Sequence, residues 1–169
     1  KGGMQKTSIH SGAGNDSLLF GVGLVSSSTI KSGTGADTLQ FTSTVNASTV
    51  YGSTDGADLI TGAASTAIVS ASSIYGGAGN DSVGFANTTS GNFSFGAGKD
   101  TFILGGIVTG ASIVGGTGND SILLNALGTV SAFGTGALTG TSAISGAMNN
   151  TYFFGSGDGN DTIAFSNTQ

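Results

Sequence analysis

One arrangement returns along the whole chain and leaves few folds open to it. An apolar-alternating segment, a glycine turn, one aspartate and a second apolar-alternating segment follow one another, as in S-I-Y-G-G-A-G-N-D-S-V-G-F at 73–85. Aligned copies place their acids at Asp16, Asp37, Asp58, Asp81, Asp100 and Asp120, separated by 21, 21, 23, 19 and 20 residues. A further copy at 152–165 carries Asp161, whereas the copy at 132–139 has Leu138 near the aspartate phase. A period of this length is one turn of a solenoid.

Residues two and four after each aspartate are mostly large and apolar: Leu18 and Phe20, Leu39 and Phe41, Val83 and Phe85, Phe102 and Leu104, Ile122 and Leu124, Ile163 and Phe165. A spacing of two is a strand with one buried face. The other half of each repeat, such as 22–30 or 67–74, is β-branched and rich in Ser and Thr, and reads as a return strand. Two strands and two turns cannot bury their apolar face alone, so the copies must stack. The expected fold is all-β: a right-handed parallel β-roll, or β-solenoid, of about eight turns of roughly 20 residues. Residues 1–169 then form a single repeat domain, with turns repeating at about 4.8 Å. In it His10, Lys31, Tyr51 and Tyr75 share one outward phase.

Composition supports strands over helices. The 169 residues include 32 glycines, nine acids that are all Asp, four lysines, no Arg and no Pro, Cys or Trp. Helices usually carry Glu, Lys and Arg on their wet face. An apolar fraction of 37% argues against a solvated linker, and a net charge of −5 without a basic stripe argues against nucleic acid or an anionic membrane as partner. No stretch reaches the roughly 20 apolar residues of a transmembrane helix. The opening K-G-G-M-Q reads as neither a signal peptide nor a natural start, so a piece of a larger secreted protein or a processed product is expected.

Stacking puts one carboxylate per turn into a column. Two like charges about 5 Å apart repel by roughly 0.8 kcal/mol in water and several-fold more in a partly buried turn, so a cation is expected between them. Without cysteine, and with a single histidine, the donors are oxygens, which favours calcium over softer metals. Glycines in the turn permit positive φ and let carbonyls turn inward.

G-G-A-G-N-D-S-V-G-F (76–85), G-G-T-G-N-D-S-I-L-L (115–124) and S-G-A-G-N-D-S-L-L-F (11–20) resemble the glycine-rich nonapeptide of RTX, or hemolysin-type calcium-binding, proteins. The resemblance implies a parallel β-roll with several Ca2+ ions between successive turns, secretion, and folding in a calcium-rich medium. The ligand carboxylates it implies are Asp16, Asp37, Asp58, Asp81, Asp100, Asp120 and Asp161. Turn carbonyls would come from Gly12, Gly14, Gly33, Gly35, Gly77, Gly79, Gly96, Gly98, Gly116, Gly118, Gly157 and Gly159, and Asp55 and Asp158 are additional candidates in the longer turns. The usual roll has calcium turns on both sides, whereas here one side alone carries them. That is closer to the one-sided calcium solenoids of bacterial adhesins and S-layer proteins. Lys99, beside Asp100, is expected to offset part of the charge of its turn.

No nucleophile elbow, phosphate loop or acid pair is visible, so the chain reads as a non-enzyme. The first functional expectation is a calcium-stabilised structural module of a secreted bacterial surface protein: an S-layer, extracellular filament or adhesin segment that stacks end to end on itself or on neighbouring domains. Two alternatives are an ice- or glycan-binding face and the secretion or stabilising domain of an extracellular enzyme or toxin.

Overall fold

The computed structural model describes residues 2–63, 67–105, 107–134, 137–144, 151–154 and 162–165. They form an all-β parallel solenoid in which about five turns are established, and no helix occurs among them. One series of long strands, Ser8–Ala13, Thr29–Thr34, Thr49–Ser53, Ser73–Ala78 and Asn92–Ala97, pairs in parallel, each with the next. Past the glycine–aspartate corner, Ser17–Phe20, Thr38–Phe41, Leu59–Gly62, Ser82–Phe85 and Thr101–Leu104 do the same.

The expectation of two strands per turn is corrected by a third, short series: Met4–Gln5, Val25–Ser26, Val45–Asn46, Ile68–Ser70 and Asn87–Thr89. The return segment is bent at one residue in left-handed conformation per turn. These are Lys6, Ser27, Ala47, Ala71 and Ser90, with φ of 48, 50, 46, 45 and 54°, followed by Gly110 at 63°. The bend separates the short strand from the long one, so each turn has three corners rather than two.

The expected alternation builds the core. Leu39, Phe41, Ile60, Val83, Phe85, Phe102 and Leu104 from beyond the aspartates meet Ile30, Val50, Ile74, Phe93 and Phe95 from the long strands, all buried. Phe20 stacks on Phe41, with ring centroids 4.6 Å apart and planes 9° off parallel. The next turn has Gly62 where a third phenylalanine would stand, and the Phe85 ring fills that space: a Cβ on Gly62 would lie 2.5 Å from it. About five turns, rather than the expected eight, are established by the described residues. Parallel pairing continues beyond them and sets Leu138 level with Asp120, but 135–136, 145–150 and 155–161 lie outside the described residues. Among the described residues no helix is long and apolar enough to cross a membrane.

Candidate metal site

The corner between the long strand and the aspartate strand is built on backbone that side chains cannot follow. Gly12, Gly14, Gly33, Gly35, Gly77, Gly79, Gly96, Gly98, Gly116 and Gly118 all have positive φ. Two of them show the second constraint. A Cβ on Gly33 would stand 1.7 Å from the Gly12 carbonyl oxygen, and one on Gly79 would stand 1.6 Å from that of Gly56. Successive turns therefore pack main chain on main chain, and the carbonyl of one turn faces the glycine of the next.

Close stacking brings Asp16, Asp37, Asp58, Asp81, Asp100 and Asp120 into one column. All but the half-buried Asp16 are buried. Each aspartate N–H donates to the carboxylate one turn on: Asp16 to Asp37 and Asp37 to Asp58 at 2.8 Å, Asp58 to Asp81 at 2.9 Å, Asp81 to Asp100 at 2.8 Å and Asp100 to Asp120 at 3.0 Å. In every case the acceptor is Oδ1. The second oxygens, Oδ2 of Asp16, Asp37, Asp81 and Asp100, are buried and accept no hydrogen bond. Asp58 differs, because its longer turn brings the Ser53 N–H onto its Oδ2.

A buried carboxylate oxygen without a donor disfavours the charged form. Burial pushes the Asp81 carboxyl from 3.8 up to about 6. The Asp58 N–H opposes the rise, and the carboxylates of Asp100 and Asp58 add to it. Burial likewise raises Asp100 to about 6, against the Asp81 N–H and with help from Asp120. Such oxygens suit a hard cation or a proton. Among the described residues no group of three or more His, Cys, Asp or Glu side chains is placed to hold a metal. With one carboxylate per turn, the rest of a calcium shell would have to come from main-chain carbonyls. The buried, donorless oxygens fit that ion, and the side chains alone do not complete its shell.

The other expected site residues fall in several places. Asp55 is exposed on the longer turn, and its Oδ1 accepts the Gly35 N–H at 3.1 Å, which braces the bend. The carbonyls of Gly33 and Gly96 each accept a ladder N–H, from Thr54 at 3.2 Å and Thr117 at 2.7 Å. Lys99 is exposed, and its N–H donates to Asn80 Oδ1 at 2.8 Å. Asp158, Asp161, Gly157 and Gly159 lie outside the described residues.

A second buried polar column was not anticipated from the repeats. Just past the left-handed residue stand Ser28, Ser48 and Ser72, all buried. Their hydroxyls donate back across the bend to the carbonyls of Ser26, Asn46 and Ser70 at 2.8, 2.8 and 2.7 Å. They accept the N–H groups of Thr7, Ser28 and Ser48 from the turn before, at 3.2, 3.1 and 3.0 Å. In the next turn Gly91 occupies this place, and a Cβ there would lie 2.4 Å from the Thr88 hydroxyl, which fills the space. The available signal was the recurrence of S-T-I, S-T-V and S-S-I at 28–30, 48–50 and 72–74.

Set against protein-family models, curated proteins and solved structures, the chain finds no match in any of the three. The likeness to RTX repeats therefore rests on the motif and on its spacing.

Proposed function

We propose that this chain is a calcium-stabilised structural module of a secreted surface protein, such as a segment of an S-layer, an extracellular filament or an adhesin. The observation that carries this reading is the buried, donorless Oδ2 repeated at Asp16, Asp37, Asp81 and Asp100. A proton at each oxygen costs nothing in acid but is disfavoured near neutrality, where a divalent cation neutralises the column and ties adjacent turns together. Asp16, Asp37, Asp58, Asp81, Asp100, Asp120 and Asp161 would supply the carboxylates, and the turn glycines the carbonyls. The role is mechanical and not catalytic: a stiff rod that folds where calcium is plentiful. An ice-binding face gains no support from the outward column, which runs His10, Lys31, Tyr51 and Tyr75 and is not a threonine array.

Circular dichroism during a calcium titration tests the proposal. The chain in EGTA should be largely unfolded, since 32 glycines must be ordered against a column of like charge. Calcium should then restore a β spectrum cooperatively. Identical, fully β spectra with and without calcium would overturn it.

A further inference from the structure

The outer face of the long strands carries a groove whose side chains serve neither the aspartate corner nor the core. One wall is the register column His10, Lys31, Tyr51 and Tyr75, all exposed. It is held by its own contacts: the rings of Tyr51 and Tyr75 stack with centroids 4.9 Å apart and planes 11° off parallel, and Lys31 Nζ lies 5.4 Å from the centre of the Tyr51 ring. The other wall is backbone of the same strands at Gly33, Gly52 and Gly76. The last two cannot carry a side chain, since a Cβ on Gly52 would lie 2.3 Å from the Gly76 carbonyl oxygen and one on Gly76 would lie 2.5 Å from Asp81 Oδ2. The space between encloses about 590 Å3. It crosses four turns, hence roughly 14 Å along the axis at the usual strand spacing.

Three features select an occupant. The groove is long and open rather than deep, which suits a segment of an extended polymer. Its surface alternates apolar ring edges with phenol hydroxyls, an ammonium and an imidazole, so each polar group has an apolar neighbour. The long strands beneath it are paired on both sides, and Thr29–Thr34 and Thr49–Ser53 therefore offer no free edge to a peptide strand. A polyanion is disfavoured by the net charge of −5 and by the exposed Asp55 next to the groove residue Thr54. We infer that the groove binds a neutral glycan chain, about three sugar rings long by that 14 Å span, lying along the solenoid axis. Tyr51 and Tyr75 would meet the apolar edges of the sugars, and Lys31 and His10 would hydrogen-bond their hydroxyls. Because Tyr51, Tyr75 and Lys31 are ordered before binding, little side-chain entropy is lost on association. None of these side chains belongs to the aspartate column, so the inference stands apart from the calcium reading.

The test uses the whole chain, folded in calcium buffer and checked by circular dichroism. Titration calorimetry is run with neutral hexaoses of β-linked glucose, N-acetylglucosamine, xylose and mannose, and with hexagalacturonate as the anionic arm. Saturable binding of at least one neutral hexaose is expected. Tyr51→Ala and Tyr75→Ala should each weaken it by about tenfold, and Lys31→Ala by about threefold. The Tyr51→Phe, Tyr75→Phe double variant keeps the stacked rings and guards against a folding defect; it should retain most of the affinity. Absence of saturation with every neutral hexaose, unchanged affinity in the alanine variants, or preference for hexagalacturonate would each overturn the inference.

Discussion

Asp81 does two jobs with two oxygens, and substitutions can separate them. Its Oδ1 takes the Asp58 N–H, and its Oδ2 is buried without a donor. Asparagine keeps an acceptor for the first role and removes the charge that burial opposes. Asp81→Asn should therefore raise the folded fraction in EGTA and lower the melting temperature in calcium, the two effects having opposite sign. Alanine removes both roles and leaves the Asp58 N–H unsatisfied, a loss of about 1–3 kcal/mol. Amide exchange should accordingly rise in the Asp58 turn as well as in the Asp81 turn of Asp81→Ala, and a purely local loss would contradict the ladder. The aspartate phase was legible because G-x-G-x-D fixes it with residues that have no easy substitute there. The N–H to Oδ1 bond was not, because like acids spaced by one turn read as a charge problem first and as hydrogen-bond partners only once stacked.

The corner at Ser48 shows why the third strand stayed hidden. A left-handed bend normally announces itself with glycine or asparagine, yet Lys6, Ser27, Ala47, Ala71 and Ser90 occupy it. Each costs about 1–2 kcal/mol of backbone strain, which at Ser27, Ala47 and Ala71 the serine beyond helps to offset by bonding across the bend and to the turn before. Ser48→Ala should destabilise by about 1–3 kcal/mol, since the Ser28 N–H loses its acceptor. Ala71→Gly should gain at most about 1 kcal/mol, the relief of strain being partly cancelled by the freer unfolded chain. Chemical denaturation of both variants at fixed calcium measures these changes. The aspartate-side strands were legible by contrast, because Leu39 and Phe41 or Phe102 and Leu104 alternate cleanly with exposed neighbours.

Over the solenoid as a whole the raised carboxyls couple stability to pH. Asp81 and Asp100 bind protons more tightly in the fold, near 6, than at their ordinary 3.8. Between those values the metal-free fold holds more protons than the unfolded chain, so its stability falls as pH rises through that window, by about 3 kcal/mol per carboxyl at most. Calcium held by the charged carboxylates, as proposed, would reverse the slope. From pH 4 to 7 the folded fraction in EGTA, read by circular dichroism, should therefore fall while the melting temperature in calcium rises, and changes of the same sign would contradict the shared site. In both buried ladders the amide-to-side-chain bonds run the same way: the amide of one turn reaches the side chain of the turn that follows it in sequence. The rod is consequently a vector. Along both ladders the acceptors face one way and the amide donors the other, so growth by stacking would be head to tail, as in a filament with a single direction of travel.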